Sequence, residues 1–153
     1  MGISGFILKK KEDTNIYQLL HDVKVAAEQA GLIPRIESVL YNSFGGGVYT
    51  TACIADTYED IPEAQQWLMY IYSTDDCIDR FDWIEKGGNL IRLIVIENFS
   101  DCEKILLDFL YEYFRLNPND YFFDESNWFY TYEDIIKIRQ NEFDIDWCYK
   151  NPQ

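Results

Sequence analysis

Residues 90–96, Leu-Ile-Arg-Leu-Ile-Val-Ile, are apolar except for Arg92. The run is far short of the roughly 20 residues that span a bilayer. As a strand it offers solvent almost nothing polar on either side, so it belongs inside a sheet with both faces covered. That requirement organises the reading of the remaining chain.

Ile3 to Leu8 is apolar, bounded by Gly2 and by Lys9, Lys10 and Lys11, and reads as a first strand. A helix starts at Asp13 or Thr14. Ile16, Leu19, Leu20, Val23, Ala26, Ala27 and Ala30 recur at helical spacing, and Gly31 is its stop. Pro34 to Tyr41 and Val48 to Ile54 read as two strands of a hairpin turned at Gly45-Gly46-Gly47. Thr57 to Glu63 is an acidic connection, and Trp67 to Tyr72, apolar on both faces, fits a buried strand or a short helix.

Ser73 or Thr74 caps an expected helix with Asp75 and Asp76 in its first turn, ended by Gly87-Gly88. After the 90–96 strand, Ser100-x-x-Glu103 has the form of a capping box. It opens a helix with Ile105, Leu106, Phe109, Leu110, Tyr113 and Phe114 inside, closed by Pro118. Thr131-x-x-Asp134 is a second such signature, before Ile135, Ile136 and Ile138. Strands separated by helices, with an early hairpin, predict an α+β fold. The expectation is a single two-layer domain over residues 1–153, with a mixed or antiparallel sheet and about four helices.

A 153-residue chain that is 48% hydrophobic has a core large enough to fold without covalent staples. Cys53, Cys77, Cys102 and Cys148 are widely spaced, form no CxxC and are expected as free thiols. The N-terminus has its apolar run before its lysines, the wrong order for a secretory signal. Phe6 stands where a myristoylation motif needs Ser or Thr. The expected location is the cytoplasm.

Charge is unevenly placed. Residues 1–50 balance five acids with five bases, whereas residues 51–153 carry 22 acids against eight bases and account for the whole net charge of −14. A field of that sign repels phosphate backbones and anionic membranes. It attracts a basic protein.

Signals for catalysis are weak. His21 is the sole histidine, and Asp22 beside it points elsewhere on a helix, so neither a positioned base nor a histidine zinc site is expected. Gly45-Gly46-Gly47 lacks the Lys-Ser/Thr ending of a phosphate loop and is followed by a strand. Asp75, Asp79 and Asp82 share one face of the expected helix. Such a row suits magnesium and resembles the aspartate-rich motif of prenyl synthases, which are larger all-helical proteins with a second motif absent here. A solvated, dipole-stabilised helix face accounts for the same acids. No cofactor and no metal are expected.

Aromatic residues concentrate towards the C-terminus, with 15 of the 26 Phe, Trp and Tyr residues lying from Phe99 onwards. They interleave with acids around Tyr121-Phe122-Phe123 and Trp128-Phe129-Tyr130. Rings surrounded by charge suit a protein-binding patch of anchors and polar rim. The expected contact residues are Asp75, Asp76, Asp79, Asp82, Asp120, Asp124 and Glu125, with the rings of Trp128 and Tyr130.

The segment YEYFRLNPNDYFFDESNWFYTYEDIIKI, with NLIRLIVIENFSDCEKILLDFL before it, covers about residues 89–140. It resembles small acidic immunity proteins encoded beside bacterial polymorphic or contact-dependent toxins. The resemblance implies a stoichiometric inhibitor of a toxin domain, such as a basic nuclease. Two other readings stand beside it: a small carboxylate-dependent enzyme with magnesium on the aspartate row, and a housekeeping interaction module. Oligomeric state is left open.

Overall fold

In the computed structural model, the described residues are 3–42, 46–73, 90–125 and 128–152. Eight strands form one sheet: β1 (Gly5–Lys10), β2 (Ile33–Ile36), β3 (Tyr41–Asn42), β4 (Val48–Ala55), β5 (Gln66–Tyr72), β6 (Leu90–Glu97), β7 (Tyr121–Asp124) and β8 (Phe129–Tyr130). Their order is β2-β4-β5-β6-β1-β7-β8, with β3 also on β4. Every described pairing is antiparallel. The helices are α1 (Ile16–Gln29), α2 (Glu103–Leu116) and α3 (Tyr132–Gln140). The fold is α+β, with three α-helices among the described residues; the helix expected around Asp75 lies outside them.

The apolar run lies inside the sheet, as its two faces demand. β6 sits between β5 and β1, and Ile7 pairs with Ile94 while Leu8 pairs with Arg92. Leu93 is therefore an extra residue, a bulge that resets the alternation. Leu93 and Ile94 both join the main core, which also holds Trp67, Met69, Phe109 and Tyr113, together with Val23 and Ile135. Leu8, Leu90 and Phe123 make a separate cluster on the opposite face, flanked by Phe6, Tyr121 and Phe129.

Local chemistry sets the element ends. Asn15, not Asp13 or Thr14, caps α1, accepting from the amides of Tyr17 and Gln18. Gly31 ends it at φ 76° with Leu32 N–H donating to the Ala27 carbonyl at 2.8 Å, a left-handed stop that suits glycine. The Thr131/Asp134 capping box forms in full. At Gly5 an added Cβ would lie 2.6 Å from the Phe122 ring, so β1 and β7 pack closely only because that side chain is missing.

Three further expectations are corrected. β1 runs two residues further than Ile3–Leu8, because Lys9 is buried and its amine is paired. The second strand is split into β2 and β3. Ser100 does not cap α2: Asp101 has φ 68°, the helix begins after Cys102, and the Ser100 hydroxyl oxygen accepts from Ile3 N–H at 3.2 Å. The aromatic-acidic segment forms a hairpin, with Phe122 and Tyr130 in the main core and Phe123 stacked on Phe129 at 4.5 Å. For Trp67 to Tyr72 the strand alternative holds. Cys53, Cys102 and Cys148 are free thiols, and Cys77 lies outside the described residues.

Candidate partner-binding surface

Strand parity assigns each side chain to one face. On β4 and β5, Ala52, Ile54, Trp67, Met69 and Ile71 enter the core beneath the helices. Their neighbours form the other face. Across it, direct pairing links Thr51 to Tyr70, Tyr70 to Val95, Val95 to Phe6, Phe6 to Phe123 and Phe123 to Phe129. The Arg92 guanidinium lies 5.1 Å from the Phe6 ring centre, a cation–π contact. Towards one end, Tyr49 sits between Tyr41 at 5.5 Å and Tyr72 at 5.8 Å.

Towards the other end the row is Arg35, Cys53, Leu68 and Glu97. The strand register gathers three connections there: residues 56–65 between β4 and β5, residues 98–102 after β6, and the β7–β8 turn. They present Asp56, Glu59, Asp60, Glu63, Asp101 and Glu125 as exposed acids, beside exposed Glu97 at the end of β6. Among these acids stand exposed apolar side chains: Tyr58 at 78%, with Ile61 and Leu68 each at 39%. Arg35 Nη2 donates to the Tyr58 carbonyl at 2.9 Å, and Asp56 and Gln65 exchange bonds at 3.0 and 3.1 Å. The loop therefore holds Tyr58 outward on a hydrogen-bonded base.

The expected contact residues divide into three groups. Asp75, Asp76, Asp79 and Asp82 lie outside the described residues. Glu125 is exposed and accepts from Ser4 N–H at 3.1 Å, while Trp128 is half-buried against the main core. Asp120, Asp124 and Tyr130 are interior, at 4%, 0% and 0% exposure, and this corrects their reading as surface contacts.

Each interior group has a structural partner. Asp120 accepts from Lys9 Nζ at 3.0 Å and from the Tyr113 hydroxyl at 2.8 Å. Lys9 also donates to Asn117, which donates to Asp22, and Asp22 accepts from Gln18 at 2.8 Å. This network ties β1, α1 and α2 together. Asp124 accepts from Trp128 N–H at 3.4 Å, closing the hairpin turn. The Tyr130 hydroxyl donates to the Lys150 carbonyl at 2.8 Å, and burial together with the Asp124 charge holds its proton far more tightly than usual.

His21 is exposed on α1 while Asp22 is buried, so the two do not form a dyad. Among the described residues, no group of three His, Cys, Asp or Glu side chains is placed to hold a metal ion. No helix of the described residues is long and apolar enough to cross a membrane. Sequence reasoning passed over Leu68 and Glu97; alternation along Gln66–Tyr72 and Leu90–Glu97 was the available signal, obscured by the bulge at Leu93. Comparisons with protein families, curated proteins and solved structures yield no match.

Proposed function

We propose that this chain is a protein-binding inhibitor of the immunity type, which engages a basic protein domain stoichiometrically through the acidic end of its sheet. One observation carries the reading: Tyr58, Ile61 and Leu68 stand exposed at the end of the sheet where three separate connections carry exposed acids. Tight interfaces concentrate affinity in a few aromatic or aliphatic anchors encircled by polar groups. The exposed carboxylates at that end select a cationic partner and speed its encounter. A toxin domain of basic character, such as a nuclease, has the required sign.

The test uses the purified product of the gene adjacent to the one encoding this chain. A one-to-one complex that silences that product's activity is the expected result. Tyr58→Ala should raise the dissociation rate at least about tenfold, as loss of an anchor does. Its melting temperature should stay that of the parent, because the ring is exposed. Recovery of an acidic partner, or turnover of a small molecule by the chain with no protein bound, would overturn the reading.

A further inference from the structure

We propose that the cavity at the acidic end of the sheet receives one arginine side chain of the partner; this rests on the inhibitor reading and specifies its chemistry. The cavity measures about 320 Å³ and is lined by Cys53, Gln66, Trp67, Leu68, Glu97 and Asn98. Sites for whole small molecules occupy roughly 300–1,000 Å³, so this one is at the small end and suits a single long side chain.

Its wall chemistry selects that side chain. Cys53, Leu68 and Glu97 are direct cross-strand neighbours on β4, β5 and β6, so their side chains stand in one row on the face opposite the three described helices. Among the described lining residues, Glu97 is the only formally charged group. Gln66 and Asn98 add amide groups, and the Gln66 side-chain oxygen accepts from the Cys53 thiol at 3.6 Å. Asn98 holds φ 53° as the chain leaves β6, a left-handed conformation that asparagine tolerates better than most residues.

Arg35 continues the row beyond Cys53, but its guanidinium is used on the Tyr58 carbonyl. A carboxylate with Leu68 as its cross-strand neighbour, in a lining that also holds the amides of Gln66 and Asn98, matches a guanidinium fork on a three-carbon stem. A lysine ammonium carries three donors on one nitrogen but no planar parallel pair to match a carboxylate, and fits the same wall less well.

The experiment is an NMR titration of the full chain with Ac-Gly-Arg-Gly-NH2 and its lysine and citrulline counterparts. The arginine peptide should give saturable shifts centred on the amides of Gln66, Leu68, Glu97 and Asn98. Lysine should bind several-fold more weakly. Citrulline, which keeps the shape and loses the charge, should bind at least tenfold more weakly. Glu97→Gln should remove the arginine response and leave the other resonances in place, since Glu97 is exposed.

Equal response to arginine and lysine overturns the pocket, as do shifts spread over all the acids or shifts that survive Glu97→Gln. If the pocket fails while the chain still inhibits the adjacent gene product, only the assignment of the arginine is lost. If the pocket binds as expected and no basic protein is inhibited, the pocket stands and the inhibitor reading falls.

Discussion

At the scale of the residue, Asp120 shows how burial and pairing compete. Lys9 is 3.0 Å away and Tyr113 donates a hydrogen bond, both favouring the charged carboxylate. Burial opposes them and prevails, raising the group from an ordinary 3.8 to about 6. The folded state therefore binds a proton that the unfolded chain releases at lower pH. The stabilisation from that proton is complete below pH about 4 and is lost as pH rises through about 6. Two units correspond to about 3 kcal/mol as an order of magnitude. Asp120→Asn cannot titrate, so the stability of the parent minus that of the variant should fall by roughly 2–3 kcal/mol between pH 4 and pH 7.5 in urea unfolding. A difference that grows with pH would mean that the Lys9 charge outweighs burial.

At the scale of the element, the C-terminal segment acts as a strap across the β7–β8 hairpin and the start of α2. Trp147 is 2% exposed, packs on Tyr130 at 5.5 Å and donates its indole N–H to the Glu103 carbonyl at 2.8 Å. The Tyr130 hydroxyl returns a bond to Lys150, and the Tyr149 hydroxyl donates to Glu103 at 3.3 Å. Trp147→Ala should cost about 3–5 kcal/mol in urea unfolding. Phe143→Ala, on an exposed ring in the same segment, should stay within about 0.5 kcal/mol. Equal losses would show that the strap contributes as a length of chain and not through its anchor.

Elements of this kind differ in how plainly they can be read. The β6 strand, α1 with its Gly31 stop and the Thr131 box were legible because each rests on local spacing or chain sterics. Lys9 looked like a strand boundary because its partner, Asp120, is 111 residues away in the chain. Ser100 and Glu103 have the spacing of a cap, but the left-handed Asp101 turns the chain between them. The acids around the aromatic hairpin looked exposed; Asp120 is interior where Lys9, distant in the chain, reaches it, and Asp124 is interior where its own hairpin turn supplies the Trp128 N–H. Position 58 belongs to a segment whose acidity was plain, whereas its outward ring depends on the Arg35 tether from another strand.

At the scale of the whole molecule, the question is whether net charge or its position governs docking. Half-buried Lys10 and exposed Lys11 stand beside exposed Glu12 and Asp13 where β1 finishes, and the opposite end of the sheet carries the acids of the three connections. A net charge of −14 accelerates encounter with any cation, but a local group of carboxylates also orients the encounter. Position separates the two effects. Glu59→Lys with Glu63→Lys alters the acidic end, whereas Glu12→Lys with Glu133→Lys makes the same change in net charge on exposed sites at the other end. Association with the adjacent gene product should be followed at about 50 and 200 mM salt, where the screening length falls from roughly 14 to 7 Å. If the acidic end is the docking face, the first pair should slow association about tenfold or more and flatten its salt dependence. The second pair should change it only a few-fold. Both variants should keep the parental melting temperature, because all four side chains are exposed. Equal slowing by the two pairs would reduce the surface to a bearer of net charge and remove the case for a docking face at this end of the sheet.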